Sequence, residues 1–209
     1  MSIILLASCA NQKIISSSFT TTFDLFKDYF KDEDLISKEL VSQIPYASAA
    51  LSFGDNKESL VILESLNQDN FVWVSADRKV FFMKDGRINR TIGMPSNLYY
   101  VERPVINFKQ IIDKGAISYI SYYSFRQTTL NNLTVNIKAK VVGLRNINIL
   151  GDEKRLLLIE EEIYGKVIGW EHTNKYWIDP DTYFVWASEQ SINPKLPPVS
   201  FKITKKPAM

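Results

Sequence analysis

The sequence predicts a mainly β protein, an antiparallel barrel or sandwich built from successive hairpins, with one or two short helices near its N-terminus. From residue 45 onward, short runs rich in Val, Ile, Phe, Tyr and Trp recur between turn signals. The run LTVNIKAKVVGL at 133–144 alternates apolar and polar side chains, which is the period of a strand with one buried face. The repeated hairpins do not fit the strand–helix–strand units of a parallel sheet.

Two short helices are predicted before the strands begin. Aromatic side chains at helical spacing indicate a helix over 23–31, for which Thr22 is a suitable N-cap. A second helix is predicted over 34–42, and it ends before Pro45 because the residue that precedes proline is forced out of helical conformation. We expect residues 23–44 to form a helical segment that packs on a β domain.

Turn chemistry places the hairpins. GDNK at 54–57 separates a first pair of strands, and ADR at 76–78 separates a second pair. The strongest signal is Asp85-Gly86 in KVFFMKDGRINRTI, since glycine supplies the positive φ of a tight hairpin turn. The later strands are predicted in the runs ISYISYYSF, LTVNIKAKVVGL, RLLLIEEEIYGKVIGW, KYWID and FVWASEQ. About ten strands are expected in total.

One segment is repeated. Residues 73–82 align without gaps on residues 177–186, each with an aromatic strand, a polar turn containing Asp and a second aromatic strand. Two related halves would produce this repeat, and so would ordinary hairpin chemistry used twice. We favour the second interpretation, and we expect the β domain to span 45–204, followed by a tail at 205–209.

The N-terminus contains the only cysteine, Cys9, which therefore cannot form an intramolecular disulfide. Cys9 follows an apolar run, and the segment Leu6-Ala7-Ser8-Cys9 resembles a bacterial lipobox. The apolar run is short, however, and no Lys or Arg precedes it. We predict that 1–8 are a signal remnant and that Cys9 is the lipid-attachment site. A buried or free thiol is the alternative.

If Cys9 carries a lipid anchor, the residues after it predict a flexible tether and a membrane location. Residues 10–22 are Ser/Thr-rich and lack periodicity, as in a flexible tether. Ala10 stands where an Asp would indicate retention in the inner membrane under the sorting rule of enteric-type bacteria, so the predicted location is the outer membrane. A lipoprotein cysteine carries two or three acyl chains, which makes anchoring effectively permanent.

Composition argues against several classes of function. The net charge of +2 does not suit a nucleic-acid-binding surface. The basic residues Lys202, Lys205 and Lys206 are interpreted as a solvated tail. No nucleotide-binding glycine motif and no metal-ligand spacing occur, so neither a cofactor nor a metal is predicted.

Catalytic candidates are equally weak, and no catalytic residue is predicted. His172 is the only histidine and is expected in a loop or on an exposed strand. The run Glu160–Glu162 is interpreted as an exposed or edge strand, with its side chains alternating between faces. Asp179 and Asp181 are expected to bond backbone amides at a turn.

Three segments resemble the GfcB/YjbF family of group 4 capsule and exopolysaccharide lipoproteins. They are IPYASAALSFGDNKESLVIL at 44–63, WVSADRKVFFMKDGRINRTIGMPSNLY at 73–99, and KYWIDPDTYFVWASEQ with PKLPP at 175–198. The chain departs from the family pattern at Tyr183, where Gly is frequent, and at Glu189, where Arg is common.

The resemblance implies a mostly β, periplasm-facing protein that is encoded beside polysaccharide export machinery, with Cys9 as the matching functional position. We therefore expect a non-enzymatic outer-membrane lipoprotein that assists capsule or exopolysaccharide assembly or export. Its expected partners are the outer membrane, export-machinery proteins and the polysaccharide itself. The alternatives are a lipid or lipoprotein carrier with an apolar cavity and, less favoured, a polysaccharide-modifying hydrolase that uses two facing carboxyl groups.

Overall fold

The computed structural model describes residues 36–67, 70–126 and 130–208. Within these ranges the chain forms a twelve-stranded sheet and two short α-helices. The strands are β1 (Ser48–Phe53), β2 (Ser59–Asn67), β3 (Asn70–Ser75), β4 (Val80–Lys84), β5 (Arg87–Ile92), β6 (Leu98–Glu102), β7 (Ala116–Phe125), β8 (Leu133–Ile149), β9 (Asp152–Gly165), β10 (Trp170–Ile178), β11 (Val185–Gln190) and β12 (Val199–Lys205). The helices are α1 (Lys38–Gln43) and α2 (Phe108–Lys114), and a 3₁₀ turn covers Lys166–Ile168.

The sheet is antiparallel throughout and curls into a nearly closed barrel. Its order is β5-β4-β3-β2-β1-β12-β11-β10-β9-β8-β7-β6, so every neighbour follows in sequence except β1 and β12. That long-range pair aligns Leu51 with Phe201. The two edge strands, β5 and β6, are also consecutive in the chain, and the Leu98 amide donates to Thr91 Oγ1 at 3.0 Å between them. The predicted fold class is confirmed, in its barrel form.

Strand alternation fills the interior of the barrel with side chains. Among the largest fully buried residues are Trp73, Tyr176, Phe81 and Phe201, which come from β3, β10, β4 and β12. The ring centroids of Trp73 and Phe201 lie 5.2 Å apart in an edge-to-face contact. The described interior is therefore a packed core, as expected for a small barrel.

Helix α1 agrees in part with the helix predicted over 34–42. Ser37 is its N-cap, with Oγ accepting from the Leu40 amide at 3.2 Å. The helix ends at Gln43, two residues before Pro45, which confirms the predicted end of the helix. The predicted tether at 10–22 and the predicted helix at 23–31 lie outside the described residues.

The Asp85-Gly86 turn is confirmed. The two residues connect β4 to β5, and their φ angles of 49° and 70° are both positive, as a type I′ turn requires. A Cβ added to Gly86 would lie 2.4 Å from Cγ2 of Val185 on β11. Glycine is therefore required at position 86 for two reasons, the positive φ angle and the close approach of the Val185 side chain.

Three elements were not predicted. The strands β6 and β12 raise the total above the expected ten, and helix α2 is the third unexpected element. Helix α2 begins at Asn107 with a capping box, in which the side chains of Asn107 and Gln110 each accept from the other's backbone amide. Strand β12 also corrects the prediction of a solvated basic tail, because it includes Lys202 and Lys205.

The repeated segment forms a hairpin at both positions, β3–β4 and β10–β11. Each hairpin is the third and fourth strand of a five-stranded meander, β1–β5 or β8–β12, and the two meanders join through β1 and β12. The interpretation favoured from the sequence, that ordinary hairpin chemistry was used twice, stays a prediction.

Candidate functional site

A buried ion pair crosses the barrel interior. Arg87 on β5 donates to Oε1 of Glu161 on β9 from Nε at 3.0 Å and from Nη2 at 2.7 Å. Both side chains are 1% exposed. The Tyr119 hydroxyl donates to the same oxygen at 2.8 Å, and the Phe108 ring of α2 lies under the guanidinium, 3.8 Å from Cζ to the ring centroid.

The electrostatics keep this pair ionised. Burial alone would raise the pKa of Glu161, but the charges of Arg87 and Arg103 and the two hydrogen-bonding partners lower it below the ordinary value of 4.5. Burial and the neighbouring carboxylate raise the pKa of Tyr119 and of Tyr176, so both hydroxyls stay protonated as donors. The cluster is a fixed charged network at neutral pH.

This arrangement does not provide the pair of carboxyl groups that glycoside hydrolysis uses. Glu161 is the only buried Asp or Glu in the part of the chain that the structure describes. Its Oε1 is occupied by three donors, while Oε2 is buried without a partner from the protein. A general acid would need a raised pKa, whereas the pKa of Glu161 is lowered.

The Glu160–Glu162 run was predicted to be an exposed or edge strand, and the edge assignment is wrong. Strand β9 lies between β8 and β10 and is not an edge. The predicted alternation is correct, since Glu160 and Glu162 both pair with Lys140 on the outer face, at 3.4 and 2.6 Å. Glu161 faces inward because it has the same parity as Ile159 and Ile163.

The other candidate residues lie apart from this cluster or outside the described residues. His172 is on β10 and half-buried, and burial lowers the pKa of its imidazole. Asp179 confirms the turn prediction, because Oδ1 accepts from the amides of Asp181 and Thr182 at 3.0 and 2.9 Å. Cys9 lies outside the described residues, so its role as lipid site stays a prediction.

Tyr183 has a backbone conformation that is unfavourable for its bulky side chain. Its φ of 58° is in the left-handed region, which costs a bulky side chain free energy. The chain keeps a strained tyrosine there.

A trough runs across the outer face of β7, β8, β9 and β10, with a volume of about 830 Å³. Two rows of cross-strand neighbours form much of its lining. These rows are Ile120, Asn136, Tyr164 and Glu171, and Ser118, Lys138, Glu162 and Thr173. Exposed aromatic side chains continue beside it, with Tyr122 on β7 and Tyr100 on β6.

The buried pair has a partial signal in the sequence, although the pair was not predicted. The alternation of Ile159, Glu161 and Ile163 places the glutamate on the apolar face, which is unfavourable for a carboxylate without a cationic partner. The alternation does not indicate which cation. Arg87 is 74 residues away, and only the closure of the barrel brings it near.

In the described ranges no group of three or more His, Cys, Asp or Glu side chains is arranged to hold a metal ion. The helices in that part of the chain are too short to cross a membrane.

Comparison with known proteins identifies the family. The model of the YjbF family, described as the group 4 capsule polysaccharide lipoprotein GfcB/YjbF, matches residues 15–203. The chain belongs to the YjbF family.

A sequence comparison and a structure comparison each find a similar lipoprotein from Escherichia coli K12. The uncharacterized lipoprotein GfcB is 23% identical over 209 residues, which span 96% of this chain and 93% of GfcB. The crystal structure of the hypothetical lipoprotein YmcC superposes with a TM-score of 0.77 at 19% identity, over 93% of this chain and 98% of YmcC. The latter similarity shows that the two proteins share a fold.

Proposed function

We propose that this YjbF-family protein is an outer-membrane lipoprotein, anchored through Cys9 and facing the periplasm, that assists the assembly or export of a capsular polysaccharide or exopolysaccharide without catalysing a reaction. It acts through export-machinery proteins or by contact with the glycan. The family match over residues 15–203 is the observation that carries this proposal.

The packed barrel supports this function over that of a lipid or lipoprotein carrier. A carrier needs an apolar cavity large enough for its cargo. The described interior instead contains large side chains that are almost fully buried, among them Trp73, Tyr176 and Phe201. A charged pair, Arg87 and Glu161, occupies part of the same interior.

The lack of a plausible acid–base pair among the described residues supports a non-enzymatic role. Glu161 is held ionised by Arg87, and Asp179 is held by backbone amides. The outer trough offers a contact surface of another kind, in which Tyr164 and Ile120 lie beside amide and charged groups. Such a mixture suits the apolar faces and hydroxyl groups of sugars or the surface of a protein partner.

The test is Cys9→Ser in a strain that lacks the native gene, with Ser17→Ala in the predicted tether as the matched control. We expect Cys9→Ser to incorporate no labelled palmitate and to leave the outer-membrane fraction. Surface polymer should then fall more than total polymer, because anchoring raises the effective concentration of the domain at the membrane. Ser17→Ala should behave as the wild-type protein does.

Wild-type protein that takes up no palmitate would refute the lipid assignment. Normal surface polymer from an exported but unanchored domain would show that the anchor is dispensable. Purified protein that shortens the polymer would overturn the non-enzymatic role.

A further inference from the structure

Two arginines and a tyrosine form an exposed patch on the outer face of the barrel, where the edge strands β5 and β6 lie side by side. Arg90 is on β5, Tyr99 is on β6, and Arg126 directly follows β7. The Tyr99 ring centroid lies 6.0 Å from Cζ of Arg90 and 5.4 Å from Cζ of Arg126. All three residues are exposed, and Tyr99 keeps 49% of its accessible surface. We call these three residues the seam patch.

The two guanidinium groups of the seam patch lie over aromatic rings and not beside carboxylates. Cζ of Arg90 lies 5.0 Å from the Phe82 ring centroid, in addition to its contact with Tyr99. Among the residues that the structure describes, neither Arg90 nor Arg126 forms an ion pair. The two positive charges beside one ring repel each other, and a bound anion would relieve this repulsion. A guanidinium group suits a carboxylate in particular, because its fork of N–H donors forms two parallel hydrogen bonds.

A β-bulge in β6 contributes to this arrangement. The register of β6 against β7 shifts between Leu98, which pairs with Phe125, and Tyr100, which pairs with Ser124, so Tyr99 is the additional residue of the bulge. Tyr100 is also exposed, at 56%. Bulges are frequent at sheet edges and beside functional sites, where they change the direction of a side chain. Two successive tyrosines are therefore accessible beside the arginines.

Exposed side chains connect the seam patch to the trough. Tyr122 on β7 lies two positions before Ser124, the partner of Tyr100, and on the same outer face. Ile120 follows on that face and begins the row of the trough that includes Tyr164. From β6 to β10 this surface spans four strand spacings, about 19 Å. Its length suits an extended chain of several units better than a single small anion.

We propose that the seam patch binds an acidic sugar of the polysaccharide whose assembly the protein assists, so this inference rests on the proposed function. Arg90 and Arg126 donate to the carboxylate of that sugar, and the neighbouring sugars of the chain pass over Tyr100 and Tyr122 into the trough. An acidic peptide would also satisfy the two charges. A sugar chain in addition uses the exposed tyrosines, because the C–H faces of its rings pack on aromatic side chains.

The experiment uses the full chain with Cys9→Ser, which removes the predicted acylation site, and follows the arginine Nε–H signals by two-dimensional NMR. The probes are oligosaccharides released from the organism's own surface polymer by partial hydrolysis, and the same oligosaccharides after chemical reduction of their carboxyl groups to alcohols. The acidic probe should shift the signals of Arg90 and Arg126 saturably, and the reduced probe should not. The signal of Arg145 should stay fixed, because its guanidinium is outside the patch and donates to the Leu144 carbonyl at 2.8 Å.

Substitutions test the patch, each with a matched control. Arg90→Gln and Arg126→Gln should each weaken binding of the acidic probe about fivefold, which is the upper range for the loss of one solvent-exposed ion pair. Arg145→Gln should not change binding. Tyr100→Ala should weaken binding, whereas Tyr183→Ala, which removes an exposed tyrosine from the loop between β10 and β11, should not. All five variants should keep the wild-type circular dichroism spectrum, and higher salt should weaken binding of the acidic probe.

Equal binding of the acidic and the reduced probe, or binding that survives Arg90→Gln combined with Arg126→Gln, would overturn the site. A polyglutamate peptide that shifts the two arginine signals, when the acidic saccharide does not, would overturn the sugar assignment and indicate an acidic protein segment. A surface polymer without acidic sugars would also overturn it. If no saccharide binds while Cys9→Ser still lowers surface polymer in cells, the seam-patch inference is wrong and the proposed function stands.

Discussion

Breaking the buried ion pair should destabilise the barrel strongly. In the structure, Glu161 Oε1 accepts from Nε and Nη2 of Arg87 and from the Tyr119 hydroxyl, at 3.0, 2.7 and 2.8 Å. Removing one partner leaves the other charge buried without compensation, which costs about 3–5 kcal/mol. A domain of ordinary stability has only about 5–15 kcal/mol in total. We therefore expect Glu161→Leu or Arg87→Met alone to lose about a fifth or more of the folding free energy.

The double variant distinguishes the cost of an unpaired charge from simple loss of packing. With both charges replaced, no uncompensated charge remains, so the cost should be at least about 2 kcal/mol smaller than the sum of the single costs. The assay is urea unfolding of the four proteins, followed by circular dichroism. Glu162→Gln is the control, because its partner Lys140 is on the surface and a solvated ion pair contributes little to stability.

Two results would refute this reasoning. One is a cost below about 1 kcal/mol for either single variant, which would mean that the pair is solvated. The other is strict additivity in the double variant, which would mean that the two side chains act independently.

Three further predictions concern a turn, a titrating group and the absence of catalysis. Gly86→Ala should lower the melting temperature more than Gly115→Ala does, although the φ angles of the two glycines, 70° and 75°, are similar. The reason is that a Cβ at position 86 would collide with the Val185 side chain, whereas a Cβ at position 115 would meet no atom within 4 Å. Equal melting temperatures of the two variants would refute the close approach. The pKa of Glu161 is lowered in the folded protein, so its stabilising contribution is present above the ordinary carboxyl value of 4.5 and is lost as the pH falls through the lower folded value. Glu161→Gln should therefore flatten the acid side of the stability–pH curve, and an unchanged curve would contradict the lowered pKa. Alanine at three positions without a catalytic environment should leave polymer structure and chain length unchanged in cells, and a change in chain length with a folded variant would restore the hydrolase hypothesis. These positions are His172, Asp179 and Asp181.

The sequence predicted two turns correctly from the chemistry of adjacent residues. Asp85-Gly86 has the backbone angles that its sequence requires. Asp179 bonds the two amides that follow it. The capping box of helix α2 is also a local signal, because Gln110 follows Asn107 after three positions. Helix α2 was nevertheless not predicted.

Long-range contacts could not be predicted from the same sequence. The pairing of β1 with β12 joins residues about 150 positions apart, and nothing local in either strand specifies the partner. The same closure brings Arg87 to Glu161 and turned a run that resembled a solvated edge into a central strand. The basic residues of β12 were assigned to a solvated tail because of their charge. Their alternation with the apolar Phe201 and Ile203, which is typical of a strand, indicates the correct structure.

The ratio of surface polymer to total polymer, measured in cells that lack this gene and in cells that regain it, tests the central claim most directly. If the protein assists assembly or export without chemistry, the ratio falls in the deletion strain, while the composition and linkages of the remaining polymer are unchanged. Restoring the wild-type gene should restore the ratio. An unchanged ratio, or a polymer with altered linkages, would contradict the proposed role.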